Sequence, residues 1–190
     1  MNTSSTAVDH AAQEAWLKRY YFTRAAFSIA WILAALGAGR QSPGIAAFLL
    51  VTYPLWDALA NLADGTRSGG LARNRSQAFN VAVSLAVAGA VAIALPDMHR
   101  VLAVFGAWAI LSGLLQLGAA LGRWKSVGAQ WAMVLSGAQS ALAGAFFIYQ
   151  AGTPMMPSIA TVIGYAGFGA FYFLVSALWL SVASRRARNA

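Results

Sequence analysis

VLAVFGAWAILSGLLQLGAALG, residues 101–122, carries no charged side chain. A helix rises 1.5 Å per residue, so about 20 apolar residues cross the ~30 Å hydrocarbon core of a bilayer. The run is continuous and shows no strict alternation, which selects helix over strand. Its alanines and leucines also favour helix. Five further stretches of the same kind flank it, at 20–38, 43–62, 77–95, 131–150 and 158–183. The predicted fold class is an all-α integral membrane protein with six transmembrane helices.

Composition supports the same reading. The chain has 190 residues, 59% hydrophobic and 9% charged. Soluble domains carry about 25% charged residues, and this chain lacks the polar surface to coat a globule in water. There is no cysteine, which excludes disulfides and thiol chemistry. His10 and His99 lie far apart in sequence and outside the apolar runs, so no histidine metal site, and no cofactor, is expected. The net charge of +8 is spread over short connections beside the spans. It reads as a topology signal and not as a nucleic-acid surface. Partners are then the lipid bilayer itself and, at the basic loops, anionic lipid head groups.

Lys18, Arg19 and Arg24 flank the first span, and Arg67, Arg73 and Arg75 lie between the second and third. Arg123 and Lys125 follow the fourth span, and Arg185, Arg186 and Arg188 follow the sixth. The opposite side holds only Arg40 and Arg100. Positive-inside bias therefore predicts that both termini are cytoplasmic. Residues 1–19 read as a polar cytoplasmic tail. Ala12, Ala15 and Trp16 allow an interfacial helix there, and disorder is the other reading of its first residues. Residues 1–13 lack the pattern of a cleavable signal, so the first span is expected to stay in the protein. Residues 20–183 form the bundle, and 184–190 a basic cytoplasmic tail.

The chain also repeats. Phe27, Phe79 and Trp131 are spaced 52 apart, as are Trp56 and Trp108. Gly37 matches Gly89, Leu59 matches Leu111, and Arg73 matches Lys125 at the same shift. The fourth and sixth spans align at a shift of 63, so that Phe105-Gly106-Ala107-Trp108 becomes Phe168-Gly169-Ala170-Phe171. Three related helical hairpins, parallel to one another and not inverted, are the predicted arrangement.

Helices in lipid associate through close packing and polar contacts, because lipid tails are as apolar as leucine. Three sets of small residues suit such packing: Ala82, Ala86, Ala90 and Ala94; Ser136, Ser140 and Gly144; and the Gly118–Gly122 pair. They serve either packing within the chain or a homo-oligomer. Trp16, Tyr20, Tyr21, Trp124, Trp131 and Tyr149 fall near span ends and form an interfacial aromatic belt. Gln139, near the middle of the fifth span, is explained by an interhelical hydrogen bond. Asp97, His99 and Arg100 make either a solvated turn or a pH-sensitive group.

Asp57 is the most informative residue. It lies within the second span, where a carboxylate costs about 3 kcal/mol unless it is protonated, hydrated or paired. Asn61 and Asp64 share its helix face. Pro54, one turn away, frees the carbonyl of Leu50. Arg24 is the expected partner of Asp57. Gln77, Asn80 and Gln116 complete a candidate polar cluster with Asp57, Arg24 and Asn61 in the cytoplasmic half. The cluster is either a structural clamp or the lining of a cytoplasm-facing cavity that takes a small solute or relays protons. No P-loop, HExxH or GxSxG motif is present. Gly65-Thr66-Arg67-Ser68-Gly69-Gly70 reads as a flexible inner loop. No catalytic residue is assigned, and the chain is not expected to be an enzyme.

Phe105-Gly106-Ala107-Trp108-Ala109-Ile110-Leu111-Ser112-Gly113-Leu114-Leu115-Gln116-Leu117, its echo at 168–180, and residues 53–61 resemble the HdeD-like family of bacterial membrane proteins. The resemblance extends over the second to sixth spans. It implies a six-helix protein of the bacterial inner membrane, built from a short two-helix repeat and associated with acid resistance, with no defined activity and no catalytic residues. The function expected is that of a non-enzymatic membrane protein of this kind. The alternative is a small transporter or channel working through Asp57.

Overall fold

A computed structural model describes the backbone of residues 3–122 and 130–189, and side chains within 12–118 and 134–186. Arg123, Trp124 and Lys125 lie outside the described residues, as do the side chains of His10, Trp131 and Arg188. All elements among the described residues are helical. They are α1 (Thr3–Ala34), continued by a π-helical turn at Ala35–Gly39, then α2 (Pro43–Arg67), α3 (Arg75–Ala94), α4 (Met98–Gly122), α5 (Gln130–Ala151) and α6 (Ile159–Asn189).

Large apolar side chains stand on the outside: Ile93 is 83% exposed, Leu142 71% and Trp179 75%. Such surface is tolerated only where the solvent is hydrocarbon. Among the described residues, five helical stretches are long and apolar enough to cross a membrane: Ala12–Gly39, Pro43–Arg67, Arg75–Ala94, Met98–Gly118 and Ile159–Arg186. The chain is a multi-pass membrane protein. The fifth predicted span forms α5 (Gln130–Ala151), whose first residues lie outside the described side chains.

The helix starts follow from local chemistry. Ser42 caps α2, its Oγ accepting from Ile45 N at 3.4 Å, and Pro43 occupies the first turn, where no N–H is needed. Pro54 is buried inside the continuous α2. Asn74 caps α3 by accepting from Gln77 N at 3.2 Å. Between them the chain reverses through Gly69 and Gly70, both at φ 93°, a region glycine enters without penalty. At α4, Asp97 Oδ1 accepts from His99 N (2.9 Å) and Arg100 N (3.4 Å), and its Oδ2 meets Arg100 Nε at 3.3 Å. His99 Nδ1 lies 3.1 Å from the carbonyl of Ala151. Asp97 thus caps the turn that opens α4.

The chain divides into two units, 1–33 with 166–190, and 34–165. In the first, Tyr21 stacks on Phe173 at 6.2 Å and Lys18 Nζ donates to Ser184 Oγ at 2.6 Å. Ser184 Oγ also meets the carboxylate of Glu14. In the second, the interior is built from Leu50, Val91, Val101, Leu102, Phe105 and Val162, all under 2% exposed. Trp108 meets Tyr53, Phe105 and Tyr165 edge-on at 6.2, 5.9 and 6.5 Å.

Candidate functional site

α2 and α3 run antiparallel across their tight loop, and their polar residues fall opposite one another. Asp64 faces Gln77, and Gln77 Nε2 donates to Asp64 Oδ2 at 2.5 Å. Deeper along the same pair, Ser84 Oγ donates to Asp57 Oδ2 at 2.7 Å. Asn61 and Asn80 occupy the register position between these two rungs. Asn61 Nδ2 reaches back one turn to Asp57 Oδ2 and to the Asp57 carbonyl, both at 2.8 Å. The result is a polar ladder from the loop end toward the middle of the helices.

The carboxylate of Asp57 is thus met by a hydroxyl and an amide donor on one oxygen, inside a wall where Ser84 is 1% exposed and Asn61 6%. These hydrogen bonds offset the desolvation that depth imposes on the group. At the loop end, Gln77 Oε1 is buried without a hydrogen-bond partner among the described residues. Gly65 brings α2 close to the reversal: a Cβ there would stand 2.5 Å from Leu71 Cδ2.

Of the candidate cluster, Asp57, Asn61 and Gln77 make these contacts, and Asn80 falls at the facing register position on α3. Ser84 was not foreseen. A lone serine in an apolar span carries a weak signal, because its hydroxyl is readily satisfied by its own helix. Gln116 is half-buried on α4, and no contact among the described residues joins it to the ladder. Arg24 belongs to the other unit. There its Nη1 donates to Tyr20 Oη at 2.7 Å, and its guanidinium lies 4.3 Å from the Phe173 ring centroid and 5.5 Å from that of Tyr20. Such cation–π contacts suit a cation at low dielectric. Contacts within either unit do not test the predicted pairing of Arg24 with Asp57.

The second polar junction lies between α4 and α5. Ser140 Oγ donates to the Ala109 carbonyl at 3.0 Å and lies 3.2 Å from Tyr165 Oη. Around it the two backbones nearly touch. A Cβ on Gly113 would be 2.5 Å from the Gly137 carbonyl oxygen, and one on Gly144 would be 2.5 Å from that of Gly106. Gly144 was expected at a packing face; Gly106, Gly113 and Gly137 were not singled out. Gly118 meets nothing within 4 Å, and Ala82 and Ala86 are exposed, so those small residues do not make the close contacts here. Replacing Ser140 with alanine is expected to lower stability by about 1 kcal/mol, the size of an interhelical hydrogen bond in a membrane. Unfolding in mixed micelles, with Tyr165→Phe and the double variant, measures this; strict additivity of the two changes would show that the hydroxyls do not interact.

A family model described as a short repeat of unknown function (DUF308) matches residues 81–149. The match runs from within α3 through α4 to α5. It includes Ser84, the 105–117 stretch and the four close-packed glycines, and leaves Asp57, Asn61 and Asp64 outside. It is narrower than the second-to-sixth-span resemblance read from the sequence. No curated protein and no solved structure matches the chain.

Proposed function

We propose that the chain is a non-enzymatic protein of the bacterial inner membrane, with six spans in three related hairpins and both termini cytoplasmic, acting in acid stress as HdeD-like proteins do. HdeD-like proteins belong to the family whose model matches residues 81–149. The observation that carries the reading is the coincidence of that match with the 105–117 stretch and the α4–α5 contact. The ladder's carboxyl groups are engaged by amide and hydroxyl donors from the helices themselves, an arrangement that clamps α2 to α3.

A second reading, a small transporter or channel, is favoured by one feature: the unpartnered Gln77 Oε1 at the loop end of a polar line leading to Asp57. Two measurements separate the readings. Cells lacking the protein are expected to lose survival under acid challenge, and both the wild type and Asp57→Asn should restore it. Proteoliposomes holding the wild type should show no proton or solute flux above empty vesicles. Flux that disappears in folded Asp57→Asn would replace the first reading by the second. A carboxyl-terminal reporter active outside the cytoplasm would remove the six-span topology.

A further inference from the structure

At the end of the 34–165 unit away from the ladder, three connections converge: the chain entering α2, the turn before α4 and the chain entering α6. They enclose a recess of about 440 Å³, lined mainly by apolar side chains including Pro43, Ala47, Leu95, Met98 and Ile159, with Arg40 at its edge. The volume falls in the range of ligand pockets, ~300–1,000 Å³. α2, α4 and α6 all begin beside it, so their amino-terminal N–H groups add positive potential to that of Arg40.

The charges around the recess are unequally committed. Arg100 is paired with Asp97, whose other oxygen caps α4. His99 is turned to the Ala151 carbonyl. Arg40 is exposed, and no described residue makes an ion pair with it. An apolar recess beside an uncommitted cation, at the end of a membrane bundle, matches one chemistry: an amphiphile with an anionic head.

We propose that this recess is a binding site for an anionic phospholipid of the adjoining leaflet, its acyl portion against Ala47 and Leu95 and its phosphate on Arg40. The acyl portion gives little selectivity, since the bilayer is as apolar as the recess. Choice among lipids therefore rests on the head group and on Arg40. The site differs from any contact at the basic loops, which lie at the opposite ends of these helices.

The chain has no cysteine, so a single Gly44→Cys can carry a fluorophore beside the recess. A Cβ at Gly44 meets only Ser42 Oγ, at 3.9 Å. Quenching of that fluorophore by brominated phosphatidylglycerol is expected to exceed quenching by brominated phosphatidylcholine about fivefold, the factor one basic side chain contributes at a membrane surface. Arg40→Gln should abolish the preference, and Arg100→Gln should keep it. Ala47→Leu, which fills the recess, should reduce quenching by both lipids. An undiminished preference in Arg40→Gln, an equal loss in Arg100→Gln, or unchanged quenching in Ala47→Leu would each overturn the proposal. Helical circular dichroism of each variant shows that the bundle is retained; both arginines are exposed, so their replacement leaves the interior intact.

Discussion

Gly113→Ala is expected to be a severely damaging single methyl addition, lowering stability by about 3 kcal/mol, the upper end of overpacking costs. The added Cβ would lie 2.5 Å from the Gly137 carbonyl oxygen and 2.6 Å from Ala141 N. Both are backbone atoms and have no rotamer to retreat into. α4 and α5 must separate, and contacts along their length weaken with distance. In lipid there is no water to penalise that separation, so van der Waals fit carries the association almost alone. Gly118→Ala is the control. Its Cβ meets nothing within 4 Å, and alanine is the better helix former by about 1 kcal/mol. Denaturation midpoints in micelles should fall sharply for Gly113→Ala and stay level or rise for Gly118→Ala. Equal midpoints for the two would mean that α4 and α5 do not approach this closely.

Asp57→Ala is expected to cost about 1–3 kcal/mol, the range for leaving buried donors without their acceptor. It removes the oxygen that receives both Ser84 Oγ and Asn61 Nδ2. Asn61 keeps the backbone carbonyl of residue 57 at 2.8 Å, and a serine hydroxyl can turn to its own helix, which limits the loss. Asp57→Asn keeps an acceptor oxygen in place and should cost less than half as much. The order wild type, Asn, Ala is the signature of a clamp between α2 and α3. An alanine variant as stable as the wild type would show that the carboxylate holds nothing together. Its presence at depth would then call for a functional explanation.

How much of this was legible beforehand differs from residue to residue. Asp57, Asn61 and Asp64 stand out in any reading, because a polar group in an apolar run is expensive and three on one face imply a facing partner. Gln77 follows, since it starts the next helix after a short reversal. Ser84 does not, because many alanine-rich positions of α3 would have been equally acceptable opposite Asp57. The same holds for the glycines. Gly118 and Gly122 have the familiar four-residue spacing, yet the contact falls on Gly106 and Gly113, seven apart on α4, against Gly137 and Gly144, seven apart on α5.

Run length, charge and the cost of bare backbone in hydrocarbon decide, from the residues alone, that this chain is helical and resides in a membrane. Those are transfer energies, and they add up along one dimension. The facing of Ser84 to Asp57, the meeting of four glycines and the recess beside Arg40 depend on the register between helices. Lipid is indifferent to which apolar face it touches, so register is set by the fit of two surfaces, a pairwise property that exists only once the helices stand side by side.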